Sequence, residues 1–131
     1  MNYSNSIDLA VKTAMQSPFK HRIGAVILDN KDNILAVGCN SRKTHPVQYK
    51  HAQRAGNDKR QFLHAEIAAL VKIRSGLPET ILVVRVGNDG SLKMARPCPV
   101  CMSALAEAQI RYMVYSKDDG TFGTELVAEA K

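Results

Sequence analysis

Two short stretches pair reactive residue types at useful spacing: His64-Ala65-Glu66 and Pro97-Cys98-Pro99-Val100-Cys101. One imidazole and two thiolates are a donor set suited to Zn²⁺. Each stretch follows a loop and opens an apolar helical segment, so two helix N-termini can converge on one point. The partial positive charge there helps hold Cys98 and Cys101 as thiolates. Three protein ligands leave a fourth tetrahedral position for water, whose pKa zinc lowers towards neutrality. Glu66 stands two residues after the histidine, too close on a helix for both to be ordinary ligands of one metal. It is placed instead to shuttle protons between that water and a substrate. This pairing fits hydrolytic loss of ammonia from an amino-heterocycle. Two other readings compete with it. Cys39 as a fourth ligand would close the site into a structural zinc centre. The C-x-x-C pair could also be redox-active, although a histidine partner motif argues for metal.

The elements that must position these residues follow from periodicity. Apolar spacing predicts a helix from Ser6 to Met15, ended by Ser17-Pro18. Ile23–Asp29 and Ile34–Cys39 read as strands joined by the turn 30–33, an antiparallel hairpin. Asn40–Gln61 is polar and poorly periodic and reads as a long loop. Phe62–Arg74 reads as a buried helix stopped by Gly76 and Pro78. Thr80–Val86 is a continuous β-branched run, as in a central strand covered on both faces. A third helix is expected over Val100–Ala108 and a strand over Arg111–Ser116. Asp118-Asp119-Gly120 then breaks the chain, and 121–131 reads as a short tail or last helix. Strands alternating with helices predict a single α/β domain over residues 1–131. Its architecture would be a three-layer α/β/α sandwich around a central mixed sheet.

Composition bounds the rest. The chain has 131 residues, 45% hydrophobic and 23% charged, which excludes a mostly disordered or collagen-like chain. No run approaches the roughly 20 apolar residues of a membrane helix. The first six residues lack the basic start and apolar run of an export signal. Three cysteines, two in C-x-x-C, argue for a reducing, cytoplasmic setting rather than a disulfide scaffold. Of the net charge of +6, the segment Ser41–Arg60 supplies +5, with six cations (Arg42, Lys43, Lys50, Arg54, Lys59, Arg60) against Asp58. Such a patch attracts an anion, so these residues, with Arg22, are candidates to meet a phosphate. It is equally readable as a solvated loop. His21, His45 and His51 read as surface or loop residues. Tyr115 is either a ring-flanking pocket residue or a core tyrosine.

The combination of His64-x-Glu66 with Pro97-Cys98-x-x-Cys101 resembles the signature of the zinc-dependent cytidine/deoxycytidylate deaminase superfamily. The resemblance covers roughly residues 5–116. It includes Gly24-Ala25-Val26 of the hairpin and Gly38-x-Asn40 at the end of the second strand. It implies the α/β/α fold, Zn²⁺ on His64, Cys98 and Cys101, and Glu66 as general acid/base. It also implies substrate contacts at Asn40 and Ala65, although Asn40 is also a residue that caps turns. The histidine ligand is closer to the deoxycytidylate and tRNA-adenosine branches than to the free-nucleoside branch. Only fifteen residues follow Ser116, which predicts four full strands plus a fragment, or an edge finished by a second copy. The expected activity is zinc-dependent deamination of a cytosine nucleotide or nucleoside, deoxycytidylate first, by a homo-oligomer. The alternatives are a base within RNA or single-stranded DNA, a purine, or a non-catalytic zinc module. Seven aromatics and no Trp are a thin supply for stacking splayed bases.

Overall fold

A computed structural model describes residues 3–56 and 62–129. The elements, in chain order, are α1 (Ser4–Ala14), β1 (Arg22–Leu28), β2 (Ile34–Cys39), α2 (Pro46–Arg54), α3 (Ala65–Leu70), β3 (Thr80–Val86), β4 (Leu92–Lys93), α4 (Pro99–Glu107), β5 (Tyr112–Ser116) and β6 (Phe122–Leu126). The sheet runs β2-β1-β3-β5-β6, with the short β4 paired to β3. β3 and β5 are parallel and every other pair is antiparallel, so the sheet is mixed as expected. The parallel pair requires a crossover, and α4 supplies it.

Strand alternation sorts the core into two layers. Val26, Leu28, Leu82, Val84 and Val114 face α1 together with Ala10 and Ala14. Ala25, Ile27, Ile81, Val83 and Met113 face the opposite side, with Ala65 and Ala69 of α3 and Leu105 of α4. A third cluster joins Ala52 of α2 to Ile67, Val100, Cys101 and Ala104. The α/β/α sandwich is thus one helix on one face and three on the other.

Two glycines set how closely the helices approach. A Cβ on Gly24 would lie 2.1 Å from the Ala10 carbonyl oxygen of α1, and one on Gly38 would lie 2.5 Å from Ala69 N and 2.8 Å from Ala65 O of α3. These are backbone atoms that cannot rotate away. Gly38 therefore fixes the seat of the helix that begins next to His64. Gly38→Ala is expected to cost about 1–3 kcal/mol through overpacking. It should also weaken zinc retention, because α3 must shift. A thermal melt and metal analysis of the purified variant measure both.

Four expectations are corrected. The segment read as a long loop contains α2. His45 caps it, Nδ1 accepting from Val47 N at 3.1 Å, and Pro46 occupies the first turn. Its buried residues are Gln48, His51 and Ala52. The helical period is present but carried by polar side chains. His51 is accordingly buried, not a surface residue. The residues after Ser116 do not form a last α-helix but β6, antiparallel to β5 and followed by a single 3-10 turn at Val127–Glu129. They extend the sheet by one full strand beyond β5. The helix predicted over Phe62–Arg74 is shorter. Beyond Leu70 the chain tightens into i→i−3 bonds, Lys72 N to Ala69 O and Ile73 N to Leu70 O.

Candidate metal centre and its cavity

His64 is the N-cap of α3 and Cys98 the N-cap of α4. Cys101 follows one turn into α4. The loop carrying His64 is held by α2, since the buried Gln48 side-chain oxygen accepts from His64 N at 3.0 Å. Gln48 and α2 were invisible as site support in the sequence, because a buried glutamine carries no apolar signal.

The three donors come together. Nδ1 of His64 lies 3.3 Å from Cys101 Sγ and 3.6 Å from Cys98 Sγ. All three ligand atoms fall within 4.8 Å of one another. Zn–N near 2.0 Å and Zn–S near 2.3 Å at a tetrahedral angle require an N···S separation of about 3.5 Å. The donor set therefore fits zinc, with Nδ1 as the ligating nitrogen. Cys39 is not in this cluster. The fourth-ligand reading, which would close the site, finds no support in the geometry.

Electrostatics prepares the same outcome. Hydrogen bonding from Cys101, then from His64, holds the Cys98 thiol down to about 4. Its pairing with Cys98, reinforced by burial, drives the Cys101 thiol well above its usual range. The hydrogen bond to Cys98 raises the His64 imidazole. The pair thus shares a proton, one sulfur ready for a metal and the other giving up its proton on binding. Glu66 is 5% exposed. Burial raises its carboxyl above the ordinary range, opposed by its own main-chain N–H and by His64. A carboxyl group whose neutral form is favoured, beside a metal site, is suited to giving and taking a proton.

These groups open into a cavity of about 290 Å³ lined by Ile23, Asn40, His64, Glu66, Arg85, Met94, Ala95, Arg96 and Cys98. Beyond Asn40 and His64 lies a wider mouth lined by Phe19, Lys20, His21, Arg42 and Phe62 among others. The Phe19 and Phe62 rings are 5.8 Å apart, and the Arg42 guanidinium lies over Phe19.

The other sequence candidates divide. Asn40 lines both spaces, and its amide is also a structural latch. Oδ1 accepts from Ile23 N at 3.0 Å and Nδ2 donates to His21 O at 2.8 Å. Ala65 is buried in the first turn of α3. Arg22 turns away, its Nη2 donating to Gly87 O at 2.8 Å, and lines neither the cavity nor its mouth. Tyr115 packs in the core below the site and donates to Glu125 Oε2 at 2.6 Å. Of the basic segment, Lys50 and Arg54 pair with Glu107 on α4 and line neither space. Lys59 and Arg60 lie outside the described residues. Among the described residues of that segment, Arg42 alone reaches the mouth. Arg85, Arg96, His21 and Phe62 were not singled out from sequence. No motif marks them, because β3, the β4 loop and two remote loops bring them together only in the fold.

Fold and site together define a zinc centre on an α/β/α sandwich, open to a cavity that a buried carboxyl group lines. Residues 2–117 match the family model of the cytidine and deoxycytidylate deaminase zinc-binding region, and the chain belongs to that family. Its members are zinc-dependent deaminases. Among solved structures, the cytidine deaminase of Burkholderia pseudomallei is similar at a TM-score of 0.67 and 19% identity, over 98% of this chain and 95% of that one. The cytidine deaminase of Mycobacterium tuberculosis gives 0.65 and 18%, over 98% and 93%. The dCMP deaminase of cyanophage S-TIM5, solved with dCMP and dUMP, gives 0.55 and 21%, over 88% and 78%. At these identities the likeness is one of fold. A comparison with curated proteins found no match.

Proposed function

We propose that the chain deaminates the cytosine ring of a nucleotide or nucleoside, deoxycytidylate first, releasing ammonia and the uracil product. The observation that carries this reading is the buried Glu66 carboxyl in the wall of the cavity that also exposes His64 and Cys98. His64, Cys98 and Cys101 would hold the zinc. When bound, zinc supplies Lewis acidity that brings a water's pKa near neutrality. Glu66 would take a proton from the attacking water and hand it to ring N3, then carry the proton of the new C4 hydroxyl to the departing amine, so that one water enters and one ammonia leaves. Asn40, held rigid by its two main-chain bonds, borders the sugar. The wide mouth, lined by Phe19 and Phe62, suits a free nucleotide.

The test is ammonia release by the zinc-loaded protein. The panel is bases, nucleosides, mono- and triphosphates and single-stranded oligonucleotides. Release from a cytosine nucleotide or nucleoside at the highest kcat/KM is the expected result. Preference for an adenine or guanine compound, or for an oligonucleotide, would replace the substrate assignment.

A further inference from the structure

Among the described residues the cavity wall carries two arginines, and their states differ. Arg96 is already neutralised. Its Nε and Nη2 form a fork with Glu125 at 2.7 and 3.1 Å, and Tyr115 donates to the same carboxylate. Those bonds hold the Glu125 carboxyl down to about 2. Arg85 has no carboxylate partner among the described residues. Its Nη2 meets His21 Nδ1, and its buried Nε has no hydrogen-bond partner. A buried guanidinium N–H without an acceptor is costly, and an arriving anion would remove that cost.

Arg85 also stands at a boundary. It lines the metal-centre cavity, and it lines a second hollow of about 230 Å³ with Lys20, His21, Gly87, Asn88, Lys93 and Asp118. That hollow contains three formal cations, Lys20, Arg85 and Lys93, against one acid, a net of +2. Asp118 is engaged, its Oδ1 accepting from Met94 N at 2.9 Å. The β3–β4 turn builds the far wall, and β4 sets Lys93 directly opposite Arg85 in register.

We infer that Arg85, supported by Lys20 and Lys93, forms a phosphate subsite that makes this chain's substrate a nucleoside monophosphate. This rests on the reading of the adjoining cavity as the deamination site. The ring occupies the inner cavity, the sugar passes Asn40, and the phosphate enters the outer hollow. There the guanidinium fork meets two phosphate oxygens and the lysines add point charge. Within the 41–60 segment, Lys50 and Arg54 are committed to Glu107 and line neither this hollow nor the metal-centre cavity.

The experiment compares the zinc-loaded wild type with Arg85→Gln and with the double variant Lys20→Gln/Lys93→Gln. The double variant alters lysine side chains at the rim and leaves Arg85 in place, so it keeps the test valid should Arg85→Gln fail to fold. Two readouts are used: kcat/KM for deoxycytidylate against deoxycytidine, and calorimetric binding of inorganic phosphate. Loss of a charge-assisted fork should lower kcat/KM for the monophosphate roughly ten- to hundred-fold more than for the nucleoside. Phosphate binding should weaken in parallel. Equal losses on both substrates, or phosphate binding that ignores both variants, overturn the subsite. Should neither substrate be deaminated, the deaminase reading fails, and the phosphate titration still decides the subsite on its own.

Discussion

Glu66→Gln is expected to lose about 10²–10⁴-fold in kcat, the range a positioned general acid/base contributes, while zinc stays at one per chain. The substitution preserves size and keeps a hydrogen-bonding oxygen and nitrogen. It removes only the ability to accept and return a proton. Burial makes the effect large, because the 5% exposure of Glu66 leaves little room for bulk water to act as a substitute shuttle. It also makes the fold tolerant. A buried carboxyl that burial pushes towards its neutral form costs little when replaced by a neutral amide. KM for the preferred substrate should change far less than kcat, since Glu66 acts on the reacting atoms. Steady-state ammonia release, metal analysis and a thermal melt on one preparation separate the possibilities. Unchanged turnover would sink the assigned role and favour a non-catalytic zinc module. Lost turnover with lost zinc would make Glu66 a support of the metal rather than a proton carrier.

What was legible beforehand follows from the kind of signal each part carries. His64, Glu66, Cys98 and Cys101 stood out because zinc chemistry demands rare residue types at short spacing on two helix starts. The structure brings the three donors within 4.8 Å. β2 is legible to the residue at Ile34–Cys39 from its aliphatic run between turn signals, and β3 reads as central because its aliphatic run is buried on both faces. α2 was missed because its inner face is Gln48 and His51, polar groups buried for hydrogen bonding rather than for apolar area. His51 reaches Ser103 at 2.8 Å and Glu107 at 3.1 Å, which ties α2 to α4. β6 was missed because a five-residue edge strand with Gly123 and Thr124 has almost no alternating apolar pattern. Its role shows only through Glu125, which fixes Arg96 at the cavity wall. Within the charge excess of the 41–60 segment, Lys50 and Arg54 pair with Glu107 while Arg42 lines the mouth. Sequence counts cations, but only the fold tells which ones are already paired.

Removing one zinc ligand should abolish both metal and activity, and the choice of cysteine discriminates between two architectures. Cys101→Ala deletes a buried sulfur that touches His64, and Cys98→Ala deletes the most acidic thiol of the pair. Either is expected to leave zinc well below one per chain and deamination at background. Cys39→Ser is the control. Its side chain is on β2 and outside the donor cluster, so zinc and turnover should hold. Stability reports the same linkage. A metal that binds only the folded state at 1,000 times its dissociation constant adds about 4 kcal/mol. For a domain of this size, chelation should therefore lower Tm by on the order of 10 °C. That shift should be present in the wild type and in Cys39→Ser, and absent in Cys101→Ala. The reverse pattern, with Cys39→Ser stripping the metal, would mean a four-ligand closed site with no corner for water, and a zinc that only braces the ends of α3 and α4.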